Sequence, residues 1–335
     1  MALNSSSSRI VVLGTGGTIA GRASRAGDNL GYTAGEVGVA QLLESLGGFA
    51  AGIDLVAEQV AQVDSKDMGF ALWQQLAARC AHWLGQADVA GIVITHGTDT
   101  LEETAYFLQA VLDPAKPVVL TCAMRPATAL VPDGPQNLLD AVAVAATPGA
   151  RGVVAVCAGK VHSARDVQKV HSYQVDAFCS GDAGLVGLVE EGRVRLLRPW
   201  PSAEDFYEGN RPLALILSAQ EAIKKIVLGT LPASACPRVE IVLNYAGASG
   251  LLVDGLVAQG VQGIVVAGTG NGTLHVELAA ALLRAMALGV QVRRSTRCVF
   301  GRVLGTAADA IPDAQGLSPV KARIALLLEL LALQA

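Results

Sequence analysis

Aromatic side chains are scarce, at 4% of 335 residues. Charged residues are few as well, at 16%, and the net charge is −4. No basic patch or Arg-Gly-Gly tract is present, which excludes nucleic acid as an expected partner. The six cysteines are scattered, with no Cys-x-x-Cys pair, and the five histidines form no His-Glu-x-x-His motif. No zinc spacing follows from them, so neither a metal nor a cofactor is expected. Cys122, Cys157 and Cys298 sit in or beside apolar runs and are expected to be buried free thiols, as in a reducing compartment. The longest apolar run near the end, residues 324–333, is broken by Glu329 and too short to span a bilayer. Residues 1–9 lack the apolar core of a signal peptide. The expectation is a cytoplasmic protein with no membrane partner.

What the chain does have is 37 glycines among 52% hydrophobic residues. That mixture suits aliphatic layers joined by tight strand-to-helix turns, and the length suits two domains. Ile10-Val-Val-Leu13 reads as a first strand. Residues 53–63, 92–94, 117–121 and 152–157 follow as further strands, and residues 39–46, 68–84, 101–108 and 137–146 as helices. Residues 184–195 read as short strands about a Glu191-Gly192 turn. Arg198-Pro-Trp-Pro201 breaks the alternation, and residues 214–227 form one amphipathic stretch. A second unit then offers strands at 239–243, 263–267 and from 290, with helices at 249–259, 274–288 and 319–333. The fold class is α/β: a doubly wound, mostly parallel sheet in an N-terminal domain (1–197), a linker (198–237) and a smaller α/β C-terminal domain (238–335). Beyond the Ser5–Ser8 run there is no repeat or low-complexity tract.

Two turns stand out. In Gly91-Ile-Val-Ile-Thr-His-Gly-Thr-Asp-Thr-Leu-Glu-Glu-Thr104 a buried strand runs into a helix start, with Thr100 and Glu103 spaced as a capping box. Thr98 and Asp99 then fall at the carboxyl end of a strand, where open α/β sheets bind ligands. As isolated residues they fit equally well as ordinary turn and cap residues. The second turn, Gly14-Thr-Gly-Gly-Thr18, resembles the start of a dinucleotide fingerprint, but Ile19 takes the place of its third glycine. No acidic residue ends a second strand about twenty residues on, as that fingerprint requires. The other use of the turn is a hydroxyl, Thr18, held among backbone N–H groups; it needs a base and something to polarise its target. Tyr32, beyond the polar loop 22–31, is expected to fold back over it.

Thr15-Gly-Gly-Thr-Ile-Ala-Gly21 together with Thr95-His-Gly-Thr-Asp-Thr100 resembles the bacterial L-asparaginase family, which includes glutaminase-asparaginases. Further matches are Ala123-Met-Arg-Pro126, Asp133-Gly-Pro135, Arg165-Asp-Val-Gln-Lys169, Asn244-Tyr-Ala246, Gly268-Thr-Gly-Asn-Gly-Thr273 and Ser295-Thr-Arg297. The resemblance implies hydrolysis of the side-chain amide of L-asparagine to L-aspartate and ammonia. It implies Thr18 as nucleophile with Tyr32 beside it, and Thr98, Asp99 and Lys169 as a second constellation. In that constellation Lys169 exchanges a proton with Thr98, while Asp99 supports Lys169 and holds the substrate α-ammonium. Ser65 takes the α-carboxylate, and the backbone at Thr98 and Ala123 polarises the amide. Lys66 stands where relatives often have a neutral residue, and is expected either to add charge at the carboxylate or to face solvent. Thr273 stands where a neighbouring subunit of the family supplies an Asn or Ser. Asp309 is the nearest candidate for an acidic partner of Tyr32. The resemblance also implies a homotetramer, a dimer of dimers with sites at subunit interfaces. A broad glutaminase-asparaginase and a catalytically weak amino-acid-binding protein on the same fold are the alternatives.

Overall fold

The computed structural model describes residues 9–25, 27–47, 53–206, 213–229, 232, 235–306 and 308–334. The Ser5–Ser8 run, Ala26 of the polar loop, Ala307 and part of the expected linker (207–212, 230, 231, 233 and 234) lie outside them. The chain divides into two compact units, Met1–Phe206 and Tyr207–Ala335.

In the first unit, β1 (Arg9–Gly16) is followed by a small ribbon of β2 (Arg22–Ala23) and β3 (Tyr32–Thr33), then by β4 (Asp54–Val63), β5 (Val89–Thr95), β6 (Val118–Thr121) and β7 (Val153–Cys157). β1 lies between β4 and β5, and β6 and β7 continue the parallel row. The central strands lack a polar face because both faces are covered. Ile10, Val12, Val93, Val119 and Val154 pack with Leu42 of α1 (Val39–Ser45) and with Leu138, Ala141 and Val142 of α4 (Gly134–Ala145). The alternate residues Val11, Leu13, Ile92 and Ile94 are equally buried, and α2 (Phe70–Leu84) and α3 (Leu101–Leu112) also pack on the sheet. Burying each such side chain contributes about 1.5–3 kcal/mol.

Beyond β7 the direction changes. β8 (Lys160–Ser163) runs antiparallel to β7. After a two-strand ribbon, β9 (Gln168–Lys169) and β10 (Phe178–Cys179), the sheet ends with β11 (Gly187–Glu190) and β12 (Arg193–Leu196). Glu191 (φ 49°) and Gly192 (φ 69°) make the expected tight turn of this last hairpin. A short helix, α5 (Ala203–Phe206), closes the unit.

The second unit holds a three-stranded parallel sheet, β13 (Val239–Leu243), β14 (Gly263–Gly268) and β15 (Gln291–Thr296). Around it lie α6 (Leu213–Leu228), α7 (Leu251–Ala258), α8 (Val276–Ala287) and α9 (Pro319–Ala332). Ile264, Val266, Val253, Leu278 and Leu282 share its core, and α6 packs on α9. Among the described residues no helix is long and apolar enough to cross a membrane. All six cysteines are free. Cys122 and Cys157 are buried as expected, but Cys298 is exposed, because β15 stops at Thr296 and the thiol lies in the loop beyond it.

Candidate active site

Because β1, β4, β5 and β6 are parallel, the loops that leave them converge on one edge of the sheet. The chain leaves β1 through Gly16 (φ 105°) and Gly17 (φ 79°), a backbone that L side chains resist. Thr18 then opens a single 3-10 turn and is buried. Its Oγ1 lies 2.7 Å from the Tyr32 hydroxyl. The β2–β3 ribbon, in which Ala23 pairs with Tyr32, brings that ring back as expected. Gly21 gives it room, since a Cβ there would lie 2.8 Å from the ring. The polar loop is largely exposed, but Ala23 is buried and its N–H donates to Thr128 Oγ1 at 2.9 Å.

The two signature loops touch. Thr15 Oγ1 donates to the Thr95 carbonyl at 2.9 Å, across 80 positions of sequence. A Cβ on Gly17 would lie 2.3 Å from Gly97 Cα, and one on Gly97 would lie 2.4 Å from Ser65 Oγ. These glycines therefore allow three turns, carrying Thr18, Ser65 and Thr98, to meet. Ser65 follows β4 in another 3-10 turn; its Oγ accepts from the Asp99 N–H at 3.2 Å. Thr100 is not the capping box that its spacing with Glu103 suggests. It is the N-cap of α3 by position, but makes no side-chain cap bond. Its hydroxyl donates instead to the Ser65 carbonyl at 2.7 Å, so a tertiary acceptor has displaced the local one.

Lys169 enters from β9. Its Nζ donates to Thr98 Oγ1 at 2.8 Å and to Asp99 Oδ1 at 2.6 Å. The Lys169 side chain is 18% exposed and that of Asp99 55%. The buried Glu102, in the first turn of α3, accepts from the Lys169 backbone N–H at 3.3 Å. An amine in contact with a hydroxyl and a carboxylate is an arrangement able to exchange a proton with that hydroxyl.

Ala123 is fully buried in the loop after β6. The Asp133 carboxylate accepts from the N–H groups of Met124 (2.9 Å) and Arg125 (3.0 Å). Asn137 donates to the Cys122 carbonyl and accepts from the Ala158 N–H, both at 2.9 Å. These supports, like Glu102, escape a reading by residue type. Asp133 ahead of Gly-Pro at a helix start was the available signal for one of them.

The remaining expected site residues have partners of their own. Lys66 turns its ammonium onto Asp64 (2.5 Å) and Asp67 (3.7 Å), with a side chain 62% exposed. These partners, hydrogen-bonded Asp64 above all, raise its pKa and hold the charge outward. In the second unit, Thr273 Oγ1 lies 2.9 Å from Thr269 Oγ1 and donates to the Thr269 carbonyl. Asp309 accepts from the Thr306 N–H and pairs with Arg294 at 2.6 Å, and both interactions lower its pKa. Its carboxylate is engaged within its own unit.

The description "Asparaginase, N-terminal" matches residues 9–202, and "Glutaminase/Asparaginase C-terminal domain" matches residues 238–333. The chain is 37% identical over 326 residues to L-asparaginase 2 of Bacillus subtilis (strain 168), covering 96% of this chain and 82% of that protein. It is 36% identical over 323 residues to a glutaminase-asparaginase of Pseudomonas fluorescens biotype A, covering 94% and 84%. The crystal structure of a probable cytoplasmic L-asparaginase from Campylobacter jejuni matches with a TM-score of 0.85 at 37% identity, covering 96% of this chain and 95% of that one. With both domains matched and a hydroxyl, amine and carboxylate assembled where the two signature loops meet, the chain belongs to the asparaginase/glutaminase family of amidohydrolases.

Proposed function

We propose that this protein hydrolyses the side-chain amide of L-asparagine to L-aspartate and ammonia through a threonine nucleophile. The observation that carries this reading is the contact of Lys169 Nζ with both Thr98 Oγ1 and Asp99 Oδ1. In the reaction, a threonine oxygen adds to the amide carbon and gives up its proton. That proton is delivered to the leaving nitrogen, and ammonia departs. Water then adds to the acyl-threonine ester, releasing the carboxylate and restoring the hydroxyl. Thr18 is the first nucleophile in this reading, and Tyr32 holds its oxygen. Thr98, with Lys169, moves the proton or directs the water. Asp99 holds the α-ammonium and Ser65 the α-carboxylate. The backbone at Thr98 and Ala123 stabilises the developing oxyanion. A coupled ammonia assay tests the reading: turnover of L-asparagine that persists in Thr18→Ala or Thr98→Ala would overturn it.

A glutaminase-asparaginase is the second reading, favoured by the relative of that name. The ratio of kcat/KM for the two amides decides, because one methylene is worth roughly 1–3 kcal/mol in a fitted pocket.

We further propose a homotetramer in the cytoplasm. The exposed Leu251, Leu252 and Val276 on the second unit support assembly. Free buried thiols at Cys80, Cys122 and Cys157 support a reducing compartment. A monomer by light scattering, or recovery in a periplasmic fraction, would count against these readings.

A further inference from the structure

Thr98 and Asp99 follow a peptide that has no side chain of its own to hold it. Gly97 is fixed instead through its carbonyl, which lies 2.7 Å from His96 Nδ1. A carbonyl only accepts, so Nδ1 carries the proton and donates. The His96 ring is completely buried, and burial lowers its pKa to about 4, so the ring is neutral near pH 7. Nε2 of that neutral ring therefore bears a lone pair. It lies 2.9 Å from Thr104 Oγ1, so the Thr104 hydroxyl donates to it. The Thr104 oxygen in turn accepts from the Trp73 indole N–H, a group that can only donate, at 2.9 Å. Every bond from Trp73 through Thr104 and His96 to Gly97 then runs in one direction. The far end is anchored: Trp73 and Thr104 are buried, and the indole stacks on Phe107 with ring centroids 5.2 Å apart. In a trans peptide the Gly97 carbonyl and the Thr98 N–H point opposite ways from one plane. Fixing one fixes the other.

We propose that Trp73, Thr104 and His96 are positioning residues: a one-way hydrogen-bond chain that sets the plane of the Gly97–Thr98 peptide and so aims the Thr98 N–H and hydroxyl at the substrate amide. The proposal rests on the reading of Thr98 as part of the amidase site. The imidazole itself neither touches substrate nor moves a proton.

Two substitutions separate the halves of the ring. In His96→Asn the amide nitrogen takes the place of Nδ1 and still donates to the Gly97 carbonyl. In His96→Gln the longer chain reaches Thr104 but offers nothing to that carbonyl. The expected result is a fall in kcat of about 10- to 100-fold for His96→Gln at nearly unchanged KM, and a smaller fall of about three- to tenfold for His96→Asn, which keeps the bond to Gly97 but loses the link to Thr104, the scale set by misplacing a catalytic group. Equal loss in both, no loss in either, or a change confined to KM overturns the proposal. If His96→Gln fails to fold, Thr104→Val decides. It removes the hydroxyl at nearly constant volume and is expected to lower kcat several-fold, whereas a parent-like kcat overturns the proposal. Ring-nitrogen NMR of the parent protein reads the tautomer without any substrate. A proton on Nδ1 is expected; a proton on Nε2 overturns the chain whatever the enzyme turns over. Should no amide be hydrolysed at all, the functional reading fails while this spectrum still tests the hydrogen-bond chain.

Discussion

The Lys169 Nζ lies 2.8 Å from the hydroxyl of Thr98, a residue 71 positions away in the sequence. The contact joins the loop after β5 to β9, a two-residue strand. Replacing Lys169 with Met removes the proton carrier while keeping most of its volume. The expected loss is about 10²–10⁴ in kcat, with circular dichroism unchanged. A Lys169→Met enzyme with parental kcat would remove Lys169 from the reaction.

Thr18 and Thr98 are expected to act as one unit. Thr18→Ala and Thr98→Ala should each nearly abolish ammonia release, and the double variant should be no worse than the weaker single one. Tyr32→Phe, which leaves the Thr18 oxygen without its 2.7 Å partner, should lower kcat by about tenfold or more. Multiplicative losses in the double variant would instead show two independent contributions.

Glycine substitutions test whether the turns must touch. Gly17→Ala places a Cβ 2.3 Å from Gly97 Cα, at a φ of 79° that alanine resists. Clash and strain together are expected to cost about 1–3 kcal/mol or more in urea denaturation, and activity should be lost. Gly149 has a similar φ of 77° but nothing within 4 Å of an added Cβ. Gly149→Ala should therefore show only a strain cost of about 1 kcal/mol and keep parental kcat. Equal behaviour of the two variants would refute the steric argument.

His96 makes stability depend on pH in a defined window. Its pKa falls from 6.5 to about 4 in the folded protein, because burial disfavours the charged ring. The unfolded chain binds this proton first as pH drops, so the neutral ring's stabilising share is complete above about pH 6.5 and is lost as pH falls from 6.5 through 4. The full effect is at most about 3–4 kcal/mol, measurable by denaturation at several pH values. His96→Asn has no such titration and should flatten the profile over that window. An unchanged slope would assign the dependence to other groups.

Lys66 is occupied by Asp64 and Asp67, and its side chain faces solvent. Lys66→Met is expected to leave KM for L-asparagine within about twofold, since exposed pairs of this kind contribute little. A tenfold rise would restore it as a carboxylate ligand, where its sequence position beside Ser65 suggests it.

The physics of a short window was enough for most elements. Ile10–Leu13 and Ile92–Ile94 are apolar on both faces, which suffices to mark central strands. The Glu191-Gly192 turn needs only local backbone preferences. Lys169 shows where that legibility ends. A two-residue strand has no periodicity to read, so apart from the family resemblance the residue looks like a solvated lysine. Thr100 shows the same limit from the other side, since its spacing with Glu103 is right for a capping box. A carbonyl from a distant turn, that of Ser65, wins its hydroxyl because the glycines let that turn approach.

By itself, then, the sequence determined the α/β alternation, the two glycine turns and, through their joint pattern, the chemistry to expect. Those features depend on neighbours in the chain or on residue type. Tyr32 on Thr18 and Lys169 on Thr98 and Asp99 were expected from the family resemblance; only the tertiary structure decided the other partners: Thr100 on the Ser65 carbonyl, Glu102 on the Lys169 N–H, the Lys66 charge on Asp64, and His96 between Thr104 and Gly97. A hydrogen bond is chosen by distance and direction between groups far apart in the chain, and parallel strands bring those groups to one edge only after the whole sheet has formed.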